Sequence, residues 1–256
     1  MAQATVRVAA VADLHYGRTD NPPVQPMLAQ AASQAEVLVL AGDLTDHGLP
    51  EEARGLAREL SACKIPMVGV LGNHDHESGH AEELKAIFGE NRIRILDGDA
   101  VELRGIGFAG VKGFCGGFGR YALAAWGEAA IKLFVREALD EALKLETALV
   151  KLRSERRIAV MHYSPIQATV EGEPEEIYPF LGSSRLEDPI NRTPVDAVVH
   201  GHAHHGCPEG RTMAGIPVYN VSTTLLQQAF PDQAAFRVLE LKLSAPAEQE
   251  SAAVPG

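Results

Sequence analysis

The first third of the chain alternates short apolar runs with stretches of helical periodicity. Apolar runs over Val6–Ala12, Val37–Ala41 and Met67–Leu71 predict three strands. Between them, Val24–Gln34 and Glu51–Cys63 have the apolar spacing of amphipathic helices, and the second begins with two glutamates, which suit the positive end of a helix dipole. This β-α-β-α-β order predicts parallel strands covered by helices.

Shorter apolar runs in the rest of the chain predict a second group of strands. They cover Val101–Leu103, Gly105–Val111, Ile158–Met161, Ala197–Val199, Val218–Asn220 and Phe236–Leu241. No stretch has the composition of a linker, so we expect one domain over residues 1–243. The small and polar residues of 244–256 predict a flexible tail.

A long helix is predicted from about Leu123 to Ser154, within a helical insertion at about 113–154. Its apolar residues repeat in alternating steps of four and three, which is heptad spacing. They are Ile131, Val135, Ala138, Ala142, Leu145, Leu149 and Leu152. Such a stripe predicts either a homodimer seam over residues 131–152 or a helix packed on its own domain.

The charge of the chain restricts its possible partners more than its length does. The 256 residues include 23 Lys and Arg against 34 Asp and Glu, a formal net charge of −11. Such a chain is poor in the cations needed for stable nucleic-acid binding or for adhesion to an anionic membrane. A small anionic substrate remains compatible with this charge, because bound metal ions supply positive charge that a residue count omits. The apolar fraction of 46% is ordinary for a folded protein, which excludes a disordered chain.

The cysteines and the chain start bear on the compartment. Cys63, Cys115 and Cys207 are odd in number and widely spaced, which predicts free thiols in the cytoplasm. The run over residues 6–12 is typical of a first strand rather than of a secretory signal peptide. No run reaches the roughly 18 apolar residues of a membrane span, so we expect no membrane insertion.

Polar clusters follow the apolar runs at five places. They are Asp13-Leu14-His15, Gly42-Asp43, Gly72-Asn73-His74-Asp75, His162 and Gly201-His202-Ala203-His204. Each alone is compatible with a purely structural role, but sites in open α/β sheets form at the carboxyl ends of strands, where these clusters would meet. Their carboxylate, amide and imidazole groups suit Mg, Mn, Fe, Co, Ni or Zn, and they are numerous enough for two ions.

In this order, the clusters resemble the motifs of the calcineurin-like metallophosphoesterases, which read DxH, GDxxD, GNH[DE], a later His and GHxH. Asp46 completes the second motif, and the resemblance spans Asp13 to His204. It implies an α/β fold, specifically a four-layer α-β-β-α sandwich of two mixed sheets with the site at one edge. It also implies that the chain is a metal-dependent phosphoric ester hydrolase.

The resemblance further implies a binuclear metal centre. One divalent ion would be held by Asp13, His15, Asp43 and His204, and the other by Asp43, Asn73, His162 and His202. A hydroxide bridging the two ions would attack phosphorus. His74 would assist the transition state or the leaving group, and the Asp46 carboxylate would orient His74 through a hydrogen bond.

Differences from known subgroups of this family narrow the range of substrates that the resemblance implies. The second motif continues as Asp46-His47-Gly48, not as the Asp-Arg-Gly of protein Ser/Thr phosphatases. Residues 44–46 contain no tyrosine of the kind that binds metal in purple acid phosphatases. The chain is most similar to the small bacterial phosphodiesterases, the class III cyclic-nucleotide and glycerophosphodiester enzymes. This similarity implies hydrolysis of small or cyclic phosphodiesters.

Two alternatives stay open. A phosphomonoesterase acting on a nucleotide or sugar phosphate would need cations to clamp the additional charge, and the loop candidates are Arg18, Arg120 and Arg185. A non-catalytic scaffold would be expected to lose ligands, and this chain retains all of them. A loop rich in carboxylates, Glu171–Glu176, either repels highly anionic substrates beside the metals or is simply solvated.

Several polar residues near these motifs have no assigned role. Asp75 is either close to the metals or solvated, and His76 and His205 adjoin the metal-binding motifs. His200 ends a predicted strand, which favours a packed core imidazole. His47 and His80 are expected on the surface.

Overall fold

The first sheet combines four strands from the first hundred residues with one from the end of the chain. The computed structural model describes residues 4–18 and 24–244. In spatial order this sheet contains β11 (Arg237–Leu243), β1 (Ala4–Val11), β2 (Val37–Ala41), β3 (Met67–Val70) and β4 (Ile93–Ile95). Strands β1 to β4 are parallel, whereas β11 runs antiparallel to β1 and pairs along its whole length.

The second sheet is also mixed. In spatial order it contains β5 (Asp99–Leu103), β6 (Ile106–Gly110), β7 (Arg156–Val160), β8 (Ala197–His200), β10 (Pro217–Asn220) and β9 (Glu209–Arg211). Strands β6, β7, β8 and β10 are parallel, and the antiparallel strands β5 and β9 form the two edges. The edge strand β9 and the first sheet's β4 are each three residues long, and the apolar pattern did not predict either.

Helices cover the outer face of each sheet. The first sheet carries α1 (Val24–Gln34), α2 (Pro50–Leu60) and α3 (Ala81–Glu90), and the second carries α4 (Ala129–Lys151) and α6 (Glu187–Arg192). Two further short helices, α5 (Tyr178–Leu181) and α7 (Thr223–Ala229), complete the set of α-helices in the described residues. The predicted four-layer α-β-β-α sandwich is confirmed.

Strand alternation produces three apolar layers. Val39 and Val68 of the first sheet pack between the sheets with Phe108 of the second. Leu38, one residue before Val39, points outwards to the layer that contains Leu56 of α2. The matching layer outside the second sheet buries Leu145 of α4. Because the strands between these layers are apolar on both faces, their polar groups are displaced to the strand ends.

The helix α4 begins six residues later than predicted. Residues 123–128 are irregular, and Gly127 has φ of +77°, which an α-helix cannot include. Part of the predicted heptad stripe packs within the chain, because Leu145, Leu149 and Leu152 are buried against the second sheet and its neighbours. A homodimer interface over residues 131–152 stays a prediction. Apolar residues do remain exposed on the opposite side of α4, namely Leu133, Leu139, Leu143 and Val150.

The cysteines, the helix lengths and the C-terminal tail were also the subject of predictions. Cys63, Cys115 and Cys207 are free thiols, as predicted. Among the described residues, the helices lack the length and apolar character that crossing a bilayer requires. The predicted flexible tail lies, from residue 245 onwards, outside the described residues.

Candidate metal centre

The carboxyl ends of five parallel strands meet at one edge of the sandwich. Asp13, Asp43 and Asn73 follow β1, β2 and β3 of the first sheet, and His162 and His202 follow β7 and β8 of the second. The two sheets contact each other through these side chains. The His162 Nε2 atom lies 2.9 Å from Asn73 Oδ1 and 3.3 Å from Asp43 Oδ1.

The side chains predicted to bind metal form two adjacent groups. One consists of Asp13, His15 and His204, and the other of Asp43, His162 and His202. Within each group, one potential ligand atom per residue lies within 4.8 Å of the others. Asp43 connects the groups, because its Oδ2 atom is 3.8 Å from His15 Nε2 while its Oδ1 atom faces His162. Together with Asn73, all seven predicted ligands are brought together.

The chemistry of this donor set fits divalent or transition-metal ions. Ala41 and Asn73 both present an acceptor oxygen to the His162 ring, at 3.0 Å from Nδ1 and 2.9 Å from Nε2. The Asp43 carboxylate is a third acceptor at this ring. Acceptors that converge in this way require a cation between them, either a proton on the imidazole or a metal ion. Carboxylate, amide and imidazole donors are suitable ligands for two such ions.

The backbone of the ligand loops supports the same assignment. Asp13, His15, Asp43 and His202 have positive φ values of 59°, 41°, 48° and 72°. This left-handed region is unfavourable for residues with a side chain, and each such residue costs on the order of 1–3 kcal/mol. Backbone strain of this kind persists where surrounding structure enforces it, and it is concentrated here at predicted metal ligands.

Electrostatics in the centre is set by burial and by the imidazoles. Burial alone would raise the pKa of Asp43, but the charge of His162 and the hydrogen bond to it hold that pKa well below its ordinary value. Burial also opposes the charge on His162, yet Asp43 raises the His162 pKa to about 9. Burial and the charge of His162 lower the pKa of His202 to about 3. The Asp43 carboxylate thus faces two imidazoles: His162, whose charged form it stabilises, and His202, which is kept neutral.

Backbone carbonyl groups orient the ligand rings. The Nδ1–H group of His162 donates to the Ala41 carbonyl oxygen at 3.0 Å, which leaves Nε2 facing Asp43. The Nε2–H group of His202 donates to the Phe180 carbonyl oxygen at 3.2 Å, which leaves Nδ1 for a metal. These contacts fix the tautomer of each ring, as hydrogen bonds to metal-binding histidines generally do. The orienting role of residue 180 was not predicted, because a carbonyl group carries no sequence signal.

Two motif glycines are required by close approach. A β-carbon on Gly42 would overlap the His162 ring, and one on Gly72 would overlap the Asp43 carboxylate. Gly42 also has φ of +88°, which favours glycine. The glycines therefore allow the ligands from neighbouring strands to approach one another.

His74 lies beside the metal groups without belonging to the predicted ligands. Its Nδ1–H group donates to the Asp46 carbonyl oxygen at 2.6 Å, and its Nε2 atom is 4.0 Å from Asp43 Oδ2. The ring meets that of His15 edge-on, with 4.5 Å between centroids. The side chain is 31% exposed, so Nε2 lies between the candidate centre and solvent.

Asp46 orients His74 by a different atom from the one predicted. The expected contact was with the carboxylate, but the structure uses the backbone carbonyl oxygen. The carboxylate is turned towards His15, with Oδ1 3.2 Å from its Nδ1 atom, and towards Arg18, with Oδ1 3.3 Å from its Nε atom. The buried His15 imidazole and the Arg18 guanidinium both contact this carboxylate, which is therefore not directed towards His74.

Asp75 is a buried organiser of two ligand loops rather than a solvated residue. Its Oδ1 atom accepts the backbone N–H and the hydroxyl of Thr45, at 2.8 and 2.6 Å. Its Oδ2 atom accepts the N–H groups of Gly72 and Leu44, at 2.8 and 3.1 Å. Asp75 thus ties the loop of Asp43 to the loop of Asn73. Burial, together with the charge of Asp43, raises its pKa to about 6.

Replacing Asp75 by Ala should therefore loosen the site from a distance. Four buried donors lose their acceptor, so we expect the free energy of unfolding to fall by about 3 kcal/mol and metal affinity to fall about 10- to 100-fold. Denaturant unfolding and metal titration measure the two effects. The exposed Asp188→Ala variant is the control. Unchanged metal affinity in a destabilised Asp75→Ala protein would contradict the organising role.

The same carboxylate contributes a pH signature to the metal-free protein. Its folded pKa of about 6 exceeds the ordinary value of 3.8, so the folded state holds the proton more tightly than the unfolded state. The contribution of Asp75 to stability should consequently decrease as pH rises from 3.8 to about 6. Asp75→Ala should lack this component of the stability profile.

The remaining histidines divide between core and surface. His200 is fully buried, its Nε2 atom lies 2.8 Å from Thr169 Oγ1, and burial lowers its pKa to about 4. It is a packed core imidazole, as predicted. The exposed His205 donates its backbone N–H to Glu173, and His76, His47 and His80 are also exposed. The acidic loop is largely solvent-exposed apart from this contact.

The end of β10 and the start of α7 contribute supporting residues that the motifs did not reveal. Asn220 donates from its side chain to the Ala203 carbonyl oxygen at 2.7 Å and so holds the loop of His202 and His204. Thr223 donates its hydroxyl to the Asp13 carbonyl oxygen at 2.8 Å. Both follow the rule used for the ligands, because they lie at or just after the end of a parallel strand.

Comparisons with known proteins agree with this geometry. The model of the calcineurin-like phosphoesterase family matches residues 6–206. No curated protein sequence matches the chain. Among solved structures, it is similar to phosphopantetheinyl hydrolase from Mycobacterium tuberculosis, with 16% identity, a TM-score of 0.64 and coverage of 97% of this chain and 98% of that one. A dimetal phosphatase from Danio rerio is similar at 13% identity, with a TM-score of 0.61 and 91% of both chains covered. At these identities the similarity shows the fold alone.

Proposed function

Since the chain belongs to the calcineurin-like phosphoesterases, a family of phosphoester hydrolases with a dimetal centre, we propose that it is a phosphodiesterase of small or cyclic phosphodiesters. The proposal includes two divalent ions, one at Asp13, His15, Asp43 and His204 and one at Asp43, Asn73, His162 and His202. When bound, such ions supply a nucleophile near neutral pH and offset the charge of the phosphate.

The chain's own residues have distinct tasks in this reaction. Asp43 directs one carboxylate oxygen to each group and so fixes the spacing of the two sites. His74 uses Nδ1–H to hold the Asp46 carbonyl oxygen, which leaves Nε2 to carry the mobile proton. In its protonated form, His74 gives this proton to the departing alcohol oxygen and becomes neutral. The backbone anchor keeps the Nε2 atom on the side of Asp43.

The contacts of the three loop arginines favour a diester over a monoester, because each guanidinium already contacts another group of the chain. The guanidinium of Arg120 packs over the Tyr121 ring, and Arg185 donates to the Leu123 carbonyl oxygen at 2.7 Å. Arg18 does lie at the site, but its Nε atom is 3.3 Å from the Asp46 carboxylate. A monoester dianion carries one more charge than a diester and would need a freer cation. The diester needs little beyond the metals and His74.

A comparison of two chromogenic substrates tests this choice. For metal-loaded protein, we expect kcat/KM with bis(p-nitrophenyl) phosphate to exceed that with p-nitrophenyl phosphate by about tenfold or more. The control is the same preparation after removal of metal, which should hydrolyse neither. The reverse ratio would support the phosphomonoesterase alternative on a nucleotide or sugar phosphate. Absence of both activities in fully metal-loaded protein would support the scaffold.

A further inference from the structure

A cavity opens beside the first metal group, between the helices α1 and α7. It has a volume of about 340 Å³, and its lining includes Asp13 and His15 of the candidate centre. That volume is within the range of small-molecule sites, which begins at about 300 Å³. A group bound there would be adjacent to a phosphate held at the metals. We call this space the α1–α7 cavity.

The charged groups of the α1–α7 cavity are already engaged. Among the described residues that line it, Asp13 lies 3.2 Å from His204 Nε2 as part of the metal group, and His15, of the same group, has its Nδ1 atom 3.2 Å from Asp46 Oδ1. Arg18 is paired with Asp46. An additional phosphate or carboxylate on the substrate would meet no uncommitted cation in this lining, and an ammonium group would meet no uncommitted carboxylate. An uncharged occupant is therefore favoured.

The rest of the lining combines apolar surface with neutral hydrogen-bonding groups. Leu14, Val24 and Met27 provide apolar contacts on the side of β1 and α1. Amide groups project from both helices, Gln30 from α1 and Gln227 from α7. Each amide can donate and accept hydrogen bonds. This combination matches an organic group with an apolar frame and uncharged polar substituents.

We infer that the α1–α7 cavity binds one organic arm of the phosphodiester, an uncharged group bearing hydrogen-bonding substituents. The inference rests on the proposed phosphodiesterase function and adds the class of ester group. It makes Gln30 and Gln227 specificity-determining residues that contact the substrate away from the reacting phosphate. It also explains how a chain with few free cations near its centre can select a substrate, since neutral contacts do the selecting.

Filling the cavity with a large side chain tests the inference. Gln227→Trp and Gln30→Trp add bulk from opposite walls, and both residues are exposed, so the fold should tolerate either change. We expect each to raise KM for bis(p-nitrophenyl) phosphate about tenfold or more. Inorganic phosphate has no organic arm, so its inhibition constant should stay within about twofold.

The adjacent Gln228 provides the matched control. It is an exposed glutamine of the same helix and is absent from the cavity lining, so Gln228→Trp should leave both constants unchanged. If both filling variants fold and retain the wild-type KM, the cavity is not a substrate subsite. If the phosphate inhibition constant rises as much as KM, the effect passes through the metal centre and the inference is wrong.

The proposed function and this inference fail in different ways. Wild-type protein that is fully metal-loaded but splits no diester would overturn the proposed function, and the inference would fall with it. Wild-type protein that splits the diester, together with filling variants that do so equally well, would overturn the inference alone.

Discussion

Replacing Asp43 by Asn should remove the metal centre and lower phosphodiester hydrolysis by more than about a thousandfold. Asp43 is the residue that faces both ligand groups, through Oδ2 towards His15 and through Oδ1 towards His162. An amide of the same shape keeps the packing but supplies one neutral oxygen in place of two charged ones. Metal content per chain and kcat measure the outcome.

Asp188→Asn is the control for this change, because it alters an exposed aspartate in α6. It should retain both ions and full activity. If Asp43→Asn protein still binds two ions and works within about tenfold of the wild type, the bridging assignment is wrong.

Measuring the pKa of His162 by spectroscopic titration of the metal-free proteins separates loss of the Asp43 charge from loss of the fold. Burial lowers the pKa of His162, and Asp43 is the main group that raises it to about 9. In Asp43→Asn the pKa of His162 should therefore fall towards or below its ordinary value of 6.5. In the wild type, the stabilisation from this pair is complete below pH 6.5 and is lost as pH rises through about 9. The variant should lose this dependence.

Replacing His74 by Ala should lower kcat about 100- to 10,000-fold while both metals remain bound. The ring is anchored by the Asp46 carbonyl oxygen and directs Nε2 to the side of Asp43. It lies outside the two groups of predicted ligands, although it forms a third group of potential ligands with His15 and Asp46. The loss should be smaller for substrates with a good leaving group, since such alcohols need less help from a proton donor. Comparing p-nitrophenyl and alkyl leaving groups gives this measurement.

His80→Ala is the matched control, since His80 follows the His74 motif in the sequence and has an exposed side chain. It should behave as the wild type in both metal content and rate. Unchanged hydrolysis of bis(p-nitrophenyl) and alkyl phosphodiesters by His74→Ala would refute the proton-donor assignment. Loss of metal in His74→Ala would instead place this ring among the ligands.

The parts of the fold that sequence predicts well are those with a strong local signal. The strand β2 and the helix α1 begin and end where their apolar periodicity does. The predicted ligands were identifiable because a buried strand has no place for a charge until it ends, so Asp13 and Asp43 mark strand ends. Their convergence then follows from parallel pairing.

Other features depend on contacts that no local pattern contains. The strand β4 has three residues, Ile93–Ile95, too few to show alternation. The heptad stripe of α4 was correctly read as a packing surface, but periodicity does not say whether the partner is another chain or, as found here, the second sheet. The side chain of Asp46 turns away from His74 because His15 and Arg18 are nearer to it, and both are brought there by tertiary folding.

The pairing of β11 with β1 has a consequence for biosynthesis. One neighbour of β1, the strand β2, is available after about forty residues, but the other is formed by Arg237–Leu243, almost at the end of the described chain. During translation this edge of β1 therefore has no partner from β11 until residues 237–243 have left the ribosome. An unpaired edge is where strands of neighbouring molecules can add. The nascent chain thus passes through a period of exposure to aggregation that ends only when β11 joins the sheet carrying Asp13.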